Sequence, residues 1–199
     1  MTQREALLAA AKKCLVDKGY GGTTARGLAA EANANLGSIG YHFGSKDRLM
    51  NLAAIELSSE WGNALEQAAR AAGGATRAER LRSLMAELLA MIPQSQDIQS
   101  ASLQALTQSK FDEKLRAEIE AGHAHARAEL AAVVLGQPPP DPDSPTARGL
   151  GTLLYALVMG LVAQAVVEPG ALPDSDLLAS ALDTLMENDP PSAQAGDRS

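Results

Sequence analysis

Asn33-Ala34-Asn35-Leu36-Gly37-Ser38-Ile39-Gly40-Tyr41-His42-Phe43-Gly44-Ser45-Lys46 decides how this chain folds. Helix signals stop and restart within a few residues here. The restarted helix carries small, polar and aromatic side chains where a surface helix would carry Glu and Lys. Asn tolerates the left-handed backbone better than most residues with a side chain, so Asn33 predicts a tight turn. Asn35 then caps a short helix in which Ile39 and Phe43, four apart, face inward, and Ser45 caps the next one. Upstream, Thr23 or Thr24 caps a helix whose inner face is Leu28, Ala29 and Ala32. Before that, Leu7, Ala10, Ala11, Cys14 and Leu15 recur at intervals of three and four, an apolar stripe that ends at Gly19-Tyr20-Gly21-Gly22.

Two short helices joined by a tight turn, with small residues such as Ala29 at the crossing, make a helix-turn-helix. Its second helix enters a DNA major groove with its N-terminal part nearest the base edges. Once Ile39 and Phe43 are buried, residues 36, 37, 38, 41 and 42 point outward. Gly37 lets the backbone approach a phosphate, and Asn35 and Ser38 can donate to it. Tyr41 and His42 reach phosphate or a base edge, and Leu36 suits a thymine methyl. The N-terminus of the following helix offers free amides to a second phosphate, and Lys46 adds a charge there. Thr24 and Arg26 complete the expected DNA-binding set of Thr24, Arg26, Asn35, Leu36, Gly37, Ser38, Tyr41, His42 and Lys46. Each has a plainer reading as a solvated surface residue, and Cys14 reads as core.

Charge is distributed in a way that suits this. Residues 1 to 50 hold seven Lys and Arg against four acids, while the whole chain of 199 residues carries a net -7, so an excess of ten negative charges falls on the rest. A basic head on an acidic body binds phosphate locally and is repelled from DNA in other orientations. Leu and Ala dominate and aromatics are scarce, which predicts an all-helical protein. Cys14 is the single cysteine, so no intramolecular disulfide forms. With no signal-peptide h-region at the start, the expected location is the cytoplasm.

Beyond residue 48 the pattern continues as helices. Leu49, Ala53, Leu57, Trp61 and Leu65 line one side of a long helix that Gly73-Gly74 stops. Others follow from Leu81 to Ile92, from Ile98 to about Ser109, and from Leu115 to Val133, before the proline-rich loop at 138 to 145. An uncharged helix spans about 146 to 167 and an amphipathic one Asp174 to Glu187. Residues 188 to 199 have the composition of a disordered tail. The nineteen residues between Arg148 and Glu168 hold no charge, a length that would permit a membrane span. Thr152, Gln164, three glycines and the missing basic flank favour a buried helix in a dimer seam instead.

The segments Gly19-Tyr20, Thr23-Thr24-Ala25-Arg26, Leu28-Ala29-Ala30-Glu31-Ala32 and Gly37 to Leu49 together resemble the N-terminal domain of the tetracycline-repressor (TetR-like) family of transcriptional regulators. The resemblance covers about the first quarter of the chain. It implies an all-α fold, with a three-helix DNA-binding domain at 1–48 and a body of about six further helices at 49–187. It further implies a homodimer joined through the last two long helices, a palindromic DNA operator read by two heads, and a small-molecule effector held in the body. Asn33 stands where the family's turn usually has Gly, Gly40 where Tyr is common, and Leu36 at a position that is often polar.

For the effector, the expected cavity lining is Trp61, Met85, Leu88, Gln104, Gln108, Ile119, His123, Tyr155 and Met159. Such walls suit a mostly apolar ligand, and the glutamines could supply polar partners. Taken singly, each Met or aromatic is as readily core, and each Gln as readily surface. His123 and His125 diverge by about 200° on a helix of ~3.6 residues per turn, so no metal site is expected there. No cofactor is expected either. Two other classes stay open on the residues alone. One is a small helical enzyme, for which the body offers no paired nucleophile and base; the other is a membrane-associated or protein-interaction module built on the uncharged helix.

Overall fold

The computed structural model describes residues 1–186; Glu187 and the tail expected at 188–199 lie outside the described residues. Among the described residues the chain forms nine α-helices and no strand. The first is α1 (Gln3–Gly22), started by a capping box in which Thr2 and Glu5 satisfy each other's backbone amides. Its helical path ends at Gly19, where φ is 68°, and the next residues turn away. Then come α2 (Ala25–Glu31) and α3 (Leu36–Phe43), separated by Asn33 at φ 47°. The turn expected from asparagine is therefore present.

The long α4 (Lys46–Ala72) follows, with Ser45 Oγ accepting from the Arg48 amide at its start and Gly73 at φ 70° ending it. A second capping box, Thr76 with Glu79, begins α5 (Arg77–Met91). Next are α6 (Gln96–Gln108) and α7 (Glu113–Leu135), the latter capped by Asp112, whose carboxylate accepts from the Lys114 and Leu115 amides. Gly136, in the left-handed conformation, closes α7. A single π-helical stretch, Ala147–Gly151, leads into α8 (Thr152–Val167), and α9 (Ser175–Met186) ends the described chain.

Two cores result. Leu7, Leu15, Leu28, Ile39 and Phe43 from the first three helices pack with Leu49, Met50 and Ala53 of α4, and this core continues into Ala101 of α6 and Leu115 and Ile119 of α7. The second gathers Leu65, Leu84, Met85, Leu88, Leu130, Val158 and Val162 from α4, α5, α7 and α8. Only α4 and α7 contribute buried residues to both. Ion pairs of Lys12 with Glu56 and Glu60 tie α1 to α4, and Arg82 with Asp183 ties α5 to α9.

Arg80 closes the far end of α7. Its guanidinium donates to the carbonyls of Val134 (2.8 Å), Leu135 (3.2 Å) and Gly74 (2.9 Å), placing a cation on the negative end of the helix. The π-helical stretch before α8 presses against α7 so closely that a Cβ on Gly151 would sit 2.2 Å from the Arg127 carbonyl oxygen. Gly151→Ala is therefore expected to cost about 3 kcal/mol through forced separation of the helices. Gly122→Ala, where nothing lies within 4 Å, should be neutral or stabilising by up to ~1 kcal/mol. Urea midpoints at fixed protein concentration check both; equal effects would mean that the crossing can relax.

Candidate DNA-reading face and ligand cavity

The two buried anchors of α3, Ile39 and Phe43, are 3% and 2% exposed, which fixes the opposite face of that helix toward solvent. Leu36, Gly37 and Tyr41 are exposed there, Tyr41 at 86%, and Ser38 and His42 are half-buried at the edges. The His42 ring meets the Tyr41 ring edge-on at 4.9 Å, and its Nε2 lies 3.2 Å from Gln3 Oε1, which braces α3 against the start of α1. Asn35 stands at the N-cap with extended backbone, but its side chain makes no capping bond. The position is as expected from sequence; the capping bond is not made, and the exposed amide is left to other partners.

Thr24 does cap α2, accepting from the Gly27 amide at 3.1 Å, and Arg26 beside it is exposed with no ion-pair partner among the described residues. Lys46 is more tethered than a free surface cation. Its ammonium donates to the Thr23 carbonyl at 3.1 Å, lies over the Tyr20 ring at 5.3 Å and is 3.7 Å from Asp47. The charge is thereby held between the N-terminal ends of α2 and α4. Tyr20 also donates to Asn51 Oδ1, and burial, helped by Asp47, pushes its hydroxyl up to about 12.

Between α4, α6, α7 and α8 lies a cavity of about 130 Å³ that opens to solvent on one side. Of the sequence-expected lining, Trp61, Ile119, His123, Tyr155 and Met159 are there. Four residues are not. Met85 and Leu88 are 3% and 0% exposed, packed into the second core and closed off from the cavity. Gln104 and Gln108 are exposed on the outer face of α6. The inward polar residues of α6 are instead Gln99 and Ser102, one helical turn apart. Ser102 spends its hydroxyl on the Ala54 and Ile98 carbonyls.

Glu66 of α4 also lines the cavity, and nothing in its sequence context signals burial, because a lone acid among Gln67 and Arg70 reads as a solvated face. It is 8% exposed. Burial first, then the nearby Glu129 charge, pushes its carboxyl up to about 7, with Arg70 pulling the other way. Arg70 itself is engaged by Glu129 at 2.7 Å. His123 is lowered by burial and by Arg127, so it faces Tyr155, 4.9 Å between ring centroids, as a neutral ring. Burial pushes the Tyr155 hydroxyl up to about 12.

A carboxyl whose native value lies above its unfolded one keeps its proton longer in the native state, so it lowers stability as pH rises from 4.5 to about 7. Glu66→Gln should therefore be more stable than the wild type at pH 8, by about 2 kcal/mol after discounting for the open mouth, and equal to it near pH 4. Denaturant titrations at the two pH values measure this, and a constant difference would mean that Glu66 is solvated.

Both regions have counterparts in known proteins. The family model described as "Bacterial regulatory proteins, tetR family" matches residues 7–53, and "BetI-type transcriptional repressor, C-terminal" matches 77–188. Among solved structures, a putative transcriptional regulator from Rhodococcus sp. RHA1 superposes with a TM-score of 0.68 at 20% identity, over 91% of this chain and 93% of that one. One from Pseudomonas aeruginosa PAO1 gives 0.61 at 22%, over 92% and 89%. The multidrug binding protein EbrR, complexed with imidazole, gives 0.60 at 22%, over 97% and 99%. At these identities the superpositions speak for the fold alone. No curated protein matches. The two family models together span head and body in the order the helices run, and the chain thus belongs to the tetR family of bacterial regulatory proteins, as a transcriptional regulator with a DNA-binding helix-turn-helix.

Proposed function

We propose that this regulator is a cytoplasmic homodimeric repressor, released from a palindromic operator when a mostly apolar small molecule enters the cavity between α4, α6, α7 and α8. The observation that carries it is the outward face of α3, with Tyr41, Leu36 and Gly37 presented to solvent by a basic head whose own core is full. Residues 1–48 are the DNA-reading head and 49–187 the ligand-binding and dimerisation body. Asn35, Ser38, Thr24 and Lys46 hold phosphates, Arg26, Tyr41 and His42 reach base edges or phosphates, and Leu36 meets a thymine methyl. The family is one of regulators, and no enzymatic activity is proposed.

Dimerisation through α8 and α9 is supported by what these helices leave uncovered. Leu153 is 61% exposed, Leu177 63% and Leu185 82%, with Leu157 also outward. The 147–167 helix is apolar and long enough to cross a membrane, yet only a third of its apolar window is covered within the protomer. A second copy laying its own α8 and α9 on this face gives a four-helix seam that covers it. Leu182, in contrast, is 7% exposed and already packed in the second core, so it belongs to the protomer and not to the seam.

The route from cavity to head runs along α7 and α4. Ile119 and His123 of α7 line the cavity, and Asp112, which caps the same helix, pairs with Arg48 in the first turn of α4. Arg48 Nε and Asp112 Oδ2 are 2.9 Å apart, an ion pair whose angle falls short of a hydrogen bond. Effector binding favours an arrangement of α4 and α7 in which the two heads no longer fit successive major grooves.

Selection of bound fragments from a genomic DNA pool should yield an inverted repeat, mirroring the two-fold symmetry of the dimer. On that site Arg26→Ala should leave the fold intact and flatten the salt dependence by about one unit if it holds phosphate, as expected for one lost contact. Tyr41→Ala should cost more on the cognate site than on random DNA if the ring reads bases. Unchanged slope and affinity in both variants would move the interface elsewhere. Leu153→Arg should give monomers by light scattering, whereas a soluble, intact dimer would place the seam on another face.

A further inference from the structure

Two of the residues that line the cavity carry a buried donor with nothing to donate to. Trp61 Nε1 and Gln99 Nε2 are shielded from solvent and lack any hydrogen-bond partner among the described residues, and Gln99 as a whole is 4% exposed. Both residues line the cavity between α4, α6, α7 and α8, and Glu66 lines it too. A buried donor left unpaired is destabilising, so a site that keeps two of them gives up stability in favour of a partner that arrives from outside.

The three groups together narrow the chemistry of that partner. An ammonium brings only donors: it would satisfy Glu66 and leave both N–H groups facing a cation. A carboxylate would satisfy both N–H groups and set a second negative charge against Glu66, already opposed by Glu129. A plain hydrocarbon would satisfy none. A head that offers an acceptor oxygen and an adjacent N–H serves all three, the oxygen accepting from Trp61 and Gln99 and the N–H donating to Glu66. Ile119, Val158 and Met159 add an apolar stretch of wall that suits an aliphatic or small-ring tail.

We infer that the effector is an uncharged amide-type molecule, a carboxamide or lactam carrying an apolar tail, held by Trp61 and Gln99 through its carbonyl oxygen and by Glu66 through its N–H. The inference rests on the effector reading of the cavity given above, and its test separates the two. Trp61 is the only tryptophan in the chain, so its emission reports occupancy of the site without DNA.

The full-length protein is titrated with cyclohexanecarboxamide, cyclohexylmethylammonium, cyclohexanecarboxylate and methylcyclohexane, which share one tail and differ in the head. The carboxamide should shift Trp61 emission saturably and bind at least tenfold more tightly than the other three. Gln99→Met, close in volume and free of the unpaired amide, should melt no lower than the wild type yet weaken carboxamide binding about tenfold, the loss expected for one hydrogen bond. If that variant fails to fold, Trp61→Phe followed by calorimetry should show the same loss. Tightest binding by the ammonium, equal binding by methylcyclohexane, or binding of none of the four by folded protein overturns the assignment. Carboxamide binding that obeys these rules but leaves operator affinity unchanged upholds the ligand chemistry and removes the cavity from regulation.

Discussion

One continuous helix governs the arrangement of everything else. The 27 residues of α4 make a rod of about 40 Å that begins in the core of the head and ends in the core of the body. Because its backbone hydrogen bonds run without a break, the head cannot move independently of the rod's first turns. The sequence of α4 reflects that double duty. Leu49, Met50 and Ala53 serve the first core, Leu65 and Ala69 the second, and between them Trp61 and Gly62 face the cavity. On the proposed mechanism a displacement at the middle of the rod is carried to its head end, where Lys46 and Tyr20 hold α4 to the start of α2.

The features legible from sequence were those decided within a few residues of themselves. Ser45 and Thr24 cap because a hydroxyl reaches the amide three residues on, and Asn33 turns because its backbone conformation is a local matter. Ile39 and Phe43 face inward because helical spacing leaves them no other choice once the turn is set. Asn35 marks the limit of that logic: the position was right, while the capping bond depends on a side-chain rotation that the sequence does not specify.

The cavity was legible only in part, since its walls come from four helices whose rotational phase is set by packing. On α6, Gln99, Ser102, Gln104 and Gln108 all offer polar groups, and the apolar positions are too few to phase the helix; the alanines at 101 and 105 turned out to be the buried ones, which carries 104 and 108 outward. Met85 and Leu88 were read correctly as interior, but they are packed into the second core behind the cavity wall and do not open onto it. Glu66 was invisible for a different reason. Its burial follows from α7 packing over this side of α4, where Arg70 pairs with Glu129, and a charge on an amphipathic helix gives no warning of that.

The Arg80 clamp has a consequence for how this chain can vary. Four carbonyls, two from the end of α7 and two from the turn after α4, converge on one guanidinium, and the proline-rich connection begins only after that fixed point. Changes in the length or composition of residues 138 to 145 therefore act on a segment already isolated from the helix it follows. A protease site, an affinity tag or a longer loop inserted there would meet an anchored helix end and leave the packing of α7 undisturbed, making this connection the natural place to open or lengthen the body.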